Sequence, residues 1–176
     1  QGRECSRLVR NRRNSAGIVP GLLLALQEVY NYSDKYIQKA LFNAGAIGYL
    51  AMRNATVAGA VGGCQAETGV AAAMAASAAT ELLGGTPLQC THAASTVLMN
   101  MLGLVCDPVG GLVEYPCQNR NAAGVANALV AAEMALAGIT QLKRRQIGAQ
   151  ENAPGSTSAH RSTRKYPPAR YVCSFC

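Results

Sequence analysis

Tryptophan is missing from this chain of 176 residues, and phenylalanine occurs only twice. With large rings so scarce, small side chains must fill the interior. Alanine and glycine dominate, a composition suited to helices packed at close range. No stretch offers the β-branched alternation that a sheet needs. A membrane-spanning helix wants ~20 predominantly apolar residues. The best candidates, 65–83 and 119–137, are mostly alanine and contain Glu67, Glu81, Asn127 and Glu133, so they read as buried helices of a soluble domain. No signal peptide with its apolar core begins the chain. The seven cysteines are odd in number and irregularly spaced, which argues against a secreted disulfide framework. The expected compartment is the reducing cytosol, which keeps thiolates free for metal.

A net positive charge is absent from most of the chain, although the whole carries +7. Residues 1–14 hold five Arg against Glu4, and residues 143–176 hold seven Lys or Arg against Glu151. Between them, residues 15–142 carry four cations against seven acids and are mildly acidic. Clustered basic residues can bind nucleic acid. Here the basicity sits only at the two ends, and the Ser/Pro-rich C-terminal one reads as a disordered tail rather than as a nucleic-acid footprint.

Three parts follow: a basic segment at 1–14, a domain at 15–142 and a basic tail at 143–176. The domain reads as one compact all-α unit of about five Ala/Gly-rich helices with a cysteine-bearing loop. An apolar run covers 17–31. Ser33 is placed to cap a second helix that has Tyr36, Ile37, Ala40, Leu41 and Ala44 at i, i+3, i+4 spacing. A glycine-rich turn at 59–63 precedes a third helix, 65–83, stopped by Gly84-Gly85. Thr86-Pro87-Leu88-Gln89 is a capping box with Pro at the first helical position, and its helix runs to about Leu102. A loop at 103–118 leads to a last helix at 119–137, closed by Gly138.

Three cysteines stand apart from the helical stripes. Cys64 follows Gly62-Gly63, Cys106 precedes Asp107-Pro108-Val109-Gly110-Gly111, and Cys117 follows Glu114-Tyr115-Pro116. A cysteine kept for packing behaves as a small hydrophobe, whereas these three lie at Gly and Pro breaks where a thiolate can be aimed inward. Three thiolates are one short of the four that fill an ordinary zinc or iron–sulfur site, and a site one ligand short suggests chemistry rather than scaffolding. Structural zinc and reduced core thiols are the competing readings. Cys90, inside a helix, reads as a packed or surface thiol, and Cys5 carries no assigned role. Cys173-Ser174-Phe175-Cys176 has C-x-x-C spacing but neither a second pair nor a βαβ context. The two histidines, His92 and His160, fall in no motif.

From about Asn14 to Gly138 the chain resembles the catalytic alpha part of bacterial iron–sulfur L-serine dehydratases. The resemblance rests on Gly17-Ile18-Val19-Pro20-Gly21, the Gly62–Gly69 run, Leu83-Gly84-Gly85-Thr86-Pro87, Cys106-Asp107-Pro108, Val113-Glu114-Tyr115-Pro116-Cys117 and Arg120-Asn121-Ala122. It implies a [4Fe–4S] cluster on Cys64, Cys106 and Cys117 whose open iron acts as a Lewis acid toward a substrate hydroxyl. The implied reaction is deamination of L-serine to pyruvate and ammonia. Glu67 and Asp107, beside two of the cysteines, are expected to orient ligands or move protons. Arg120 is expected to grip a substrate carboxylate or to pair with Glu114. A smaller beta part, as a subunit or fused domain, and a dimer are the partners implied. Alternatives are a related hydro-lyase acting on another β-hydroxy substrate, and a basic binding module.

The pattern breaks at both ends. Relatives carry a Thr-Ala-Pro-Thr-Asn-Gly type segment where this chain reads Val9-Arg10-Asn11-Arg12-Arg13-Asn14-Ser15, and beyond Gly138 it turns to Lys143-Arg144-Arg145. The expectation is that the ends are translated out of frame or that the chain is a truncated fragment. A further expectation concerns geometry: Cys64 just before a helix start, with Cys106 and Cys117 reaching the same pocket from one loop.

Overall fold

The computed structural model describes residues 15–104 and 114–140, without the side chains of Glu114 and Tyr115. Among these residues there is no strand, as an all-α reading requires. A 3-10 turn at Ser15–Gly17 leads into α1 (Ile18–Tyr30). It is followed by α2 (Asp34–Asn54), the single turn α3 (Gly59–Gly62), α4 (Cys64–Leu82), α5 (Pro87–Asn100) and α6 (Glu114–Leu136).

Local chemistry accounts for most of these boundaries. Thr86 Oγ1 accepts from the Gln89 backbone N–H at 3.3 Å, and Gln89 Oε1 accepts from the Thr86 N–H at 2.8 Å. Both arms of the capping box are therefore present. Gly84 and Gly138 take φ of 87° and 86°, the left-handed C-terminal conformation in which glycine carries no Cβ penalty. Ser33 occupies the N-cap of α2 but makes no capping hydrogen bond through its side chain.

Two expectations need correction. The 59–63 turn contains a helical turn of its own, α3, so the described residues hold six helices rather than five. More important for the site, α6 begins at Glu114 rather than near Asn119, and Cys117 is therefore helical instead of sitting in a loop. Pro116 reads as a break in sequence. In the first helical turn, however, its missing N–H has no intrahelical partner to lose, so the helix starts ahead of it.

The centre of the molecule is α4. Fourteen of its 19 residues are buried, and all-round burial marks a helix enclosed by others. Its neighbours fix the topology. Ser15 bonds Glu67 while Tyr32 Oη donates to the Leu82 carbonyl at 2.7 Å, so α1 runs parallel to α4. Arg120 meets Cys64, and Gly124 faces Thr68 and Ala72, which makes α6 parallel as well. A Cβ on Gly124 would stand 3.2 Å from Ile18 Cδ1 and 3.3 Å from Ala72 Cβ, so this glycine sets the distance between α1, α4 and α6. The other two long helices run the opposite way: on α2, Lys39 pairs with Glu81 while Gly48, further along, faces Met74, and the Leu104 carbonyl after α5 accepts from Gln65 N–H at 2.9 Å.

This alternation gathers the N-terminal ends of α1, α4 and α6 at one end of the bundle. The core behind them is built of alanines with Ile18, Leu22, Leu23 and Val97.

Candidate active site

Gly63 sets the position of the first thiol. It takes φ of 72°, a region that other L-residues enter only at a cost. The chain can thus turn sharply and place Cys64 as the first residue of α4, buried to 4 % exposure. The helix start was expected one residue later and is otherwise as the Gly-Gly break suggests. Unsatisfied backbone N–H groups and the positive end of the helix dipole face the sulfur at such a position.

The Arg120 guanidinium adds a cationic donor beside the same sulfur. Its Nη1 donates to Cys64 Sγ at 3.3 Å. Arg120 lies three residues after Cys117 on α6, which places the two on one face of that helix. Cys117 is half-buried in the first turn of α6, and Asn121, one turn further, is 1 % exposed. Cys64 and Cys117 therefore occupy first turns of parallel helices at the same end of the bundle, with Arg120 reaching from one helix to the other. Cys106 and Asp107 lie outside the described residues, as do Cys5, His160, Cys173 and Cys176. Among the described residues no three His, Cys, Asp or Glu side chains gather as a metal-binding group, and no cysteine is in a disulfide.

Glu67 follows Cys64 by one helical turn. Ser15 Oγ donates to its Oε1 at 3.0 Å. The other oxygen, Oε2, rests against Gly59, where an added Cβ would overlap it. Beyond Glu67 lies a cavity of about 530 Å³ between the start of α1, the middle of α2 and α4. Apart from Ser15 and the Glu67 carboxylate its walls are mainly apolar, with Val19, Tyr49, Met52 and Met74 among them.

Sequence reasoning did not single out Ser15, Gly59 or Asn121 as site residues. Ser15 opens the Ser-Ala-Gly-Ile-Val-Pro segment and Gly59 the glycine-rich turn. Their only signal was membership of a motif.

Cys90 is a different kind of thiol. It is buried, and burial pushes it above its ordinary range, against the pull of hydrogen bonding with Asn43 and Ser77; the Glu81 carboxylate adds to the rise. A thiol held neutral in this way is a poor ligand and a poor nucleophile.

A sequence profile described as "Serine dehydratase alpha chain" matches residues 14–153. The chain belongs to that family. The match begins where the resemblance placed it and runs past Gly138 into the basic tail. A "Probable L-serine dehydratase, alpha chain" of Bacillus subtilis is 56 % identical over 126 residues, covering 72 % of this chain and 42 % of the relative. An "L-serine dehydratase, alpha chain" of Peptoniphilus asaccharolyticus is 53 % identical over 128 residues, with 73 % and 44 % covered. An "L-serine dehydratase TdcG" of Escherichia coli is 44 % identical over 132 residues, with 74 % and 29 % covered. The aligned part thus spans less than half the length of each of these three relatives. No helix among the described residues is long and apolar enough to cross a membrane.

Proposed function

We propose that this chain carries the cluster-binding part of an L-serine dehydratase. The observation that carries the reading is the pair of thiols in the first turns of α4 and α6, with the Arg120 guanidinium donating to one of them. Such thiolates, held by dipole ends and a cationic donor, suit an anionic iron–sulfur cluster. Cys64 and Cys117 are proposed as two ligands and Cys106 as the third, because the described chain ends on both sides of it, at Leu104 and Glu114, at this same end of the bundle.

The cluster, when bound, supplies a Lewis-acidic iron that takes charge from a departing hydroxyl. The chain supplies the rest. Arg120 N–H steadies the Cys64 sulfur. Glu67, one turn away, offers a carboxylate to the substrate. Asp107 is proposed as a further acid–base or orienting group. Loss of the α-proton and of hydroxide converts L-serine to aminoacrylate and water. The aminoacrylate tautomerises to the imine, whose hydrolysis releases pyruvate and ammonia.

Two relatives are named as alpha chains, which supports a beta partner for this chain too. A dimer is proposed on the outer face of α2, where Leu41, Phe42, Tyr49 and Leu50 stand exposed and no charge occurs between Lys39 and Arg53. The reducing cytosol is the proposed compartment, supported by thiols outside disulfides.

The test is anaerobic reconstitution with iron and sulfide, followed by a pyruvate assay on L-serine with and without a beta partner. A brown protein that releases pyruvate is expected. Cys64→Ser, Cys106→Ser and Cys117→Ser should each lose colour and activity together, while Cys90→Ser keeps both. Colour lost on Cys90→Ser but kept on Cys117→Ser would overturn the assignment. A colourless protein holding one zinc would replace the cluster by a structural metal.

A further inference from the structure

We infer that Glu67 is the acceptor of a primary-ammonium subsite at the head of the 530 Å³ cavity, and that Ser15 and Gly59 are its positioning residues. Three observations converge on one carboxylate. First, its Oε1 is fixed by the Ser15 hydroxyl at 3.0 Å, across 52 residues of sequence. Second, its Oε2 lies against the Cα of Gly59, a position open only because no Cβ is present. Third, the carboxylate so held lines a cavity whose other walls are chiefly apolar.

A carboxylate is an acceptor only, with about four lone-pair sites, and the hydrogen bond it accepts among the described residues, from the Ser15 hydroxyl, uses one of them. An apolar surround strengthens its attraction for a cation. Among the described residues the ion pair is Lys39–Glu81, and none falls on Glu67. The charge demanded of a ligand is therefore positive and compact, with several N–H donors. A primary ammonium supplies three.

The link to L-serine rests on the dehydratase reading. Glu67 would take the substrate's ammonium one helical turn from Cys64, leaving the hydroxyl to face the thiolate end of the bundle. Ser15 and Gly59 touch only the carboxylate in this scheme, so they act through it.

The experiment uses the full chain, anaerobically reconstituted, and simple probes: n-butylammonium and n-butanol, titrated against backbone amide and methionine methyl NMR signals. The cavity should prefer the ammonium over the alcohol by about tenfold or more, as a charge-assisted hydrogen bond implies. Glu67→Gln should abolish the preference. Ser15→Ala and Gly59→Ala should each reduce it at least threefold, and Ser15→Thr, which keeps the hydroxyl, should restore most of it. Far-UV circular dichroism of each variant separates lost binding from lost folding.

Equal affinity for the two probes, or a preference that survives Glu67→Gln, overturns the subsite. A parallel arm compares L-serine with 3-hydroxypropionate, which lacks the ammonium. Ser15→Ala should raise KM for L-serine more than it lowers kcat, and should leave 3-hydroxypropionate inhibition within twofold. Pyruvate release without any ammonium preference would sink the subsite and leave the dehydratase standing. An ammonium preference without pyruvate release would do the reverse.

Discussion

Cys64 and Cys90 show how one residue type meets opposite surroundings within a single bundle. Cys64 begins a helix beside a guanidinium, whereas Cys90 sits beneath Asn43, Ser77 and Glu81 with burial holding its proton on. The Cys90 shift has a thermodynamic sign. Its folded-state pKa lies above that of the unfolded thiol, so the native state keeps a proton that the unfolded chain releases. The contribution is fully present below the unfolded thiol's pKa and falls away as pH rises past about 9. Wild-type stability in urea should therefore decline through this window relative to Cys90→Ala, by at most about 1.4 kcal/mol per pH unit for one proton. A difference that stays flat from pH 7 to 10.5 would contradict it. Cys64 was legible in sequence because a Gly-Gly break forces a turn and leaves the next residue at a helix start. Ser15 was not, because nothing in the local chain says that it will meet Glu67 52 residues later.

At the level of elements, the capping box of α5 does more than begin a helix. Gln89 Nε2 also donates to the Ala135 carbonyl at 3.0 Å, so one side chain closes the N-terminus of α5 and ties it to the last turn of α6, where the same carbonyl also accepts from Gly138 N–H. Thr86→Ala should cost about 1 kcal/mol, the usual value of a lost cap. Gln89→Ala should cost roughly 2 kcal/mol, since a hydrogen bond between helices goes with it. Urea denaturation decides the order, and equal losses would show that the α6 contact contributes nothing. The box was readable from Thr86-Pro87-Leu88-Gln89 because it is local. The start of α6 was misplaced for the same reason: Pro116 looks like a terminator, but a proline in the first turn removes a donor that had no partner. Local rules give the boundaries well where only neighbours in sequence decide them.

Over the whole molecule, alanine richness and the lack of β-branched alternation foretold a helical bundle. Which helices lie side by side was not foretold, because alanine-lined faces fit many partners equally well. The neighbours are chosen by a few long-range devices: Gly124 against Ile18 and Ala72, Tyr32 on the Leu82 carbonyl, and Asn43 between Ser77 and Glu81. The outer face of α2 has no such partner within the described residues. Phe42 there is 82 % exposed, more than an isolated soluble domain ordinarily leaves beside other bare apolar residues. Sedimentation equilibrium should show concentration-dependent dimers, and Phe42→Glu should shift the population to monomer; a monomer at all concentrations would remove the proposed interface.

The alternation of helix directions also decides what damage to the site would mean. Cys64 and Cys117 occupy first turns at one end of the bundle, while α4 from Ala72 to Leu82 is packed into the alanine core further along. The scaffold therefore does not borrow its cohesion from whatever the thiols hold. On the proposed assignment, oxidation at that end would cost the cluster while the alanine core further along keeps its packing. An empty shell, still folded, would be open to repair in place rather than committed to degradation.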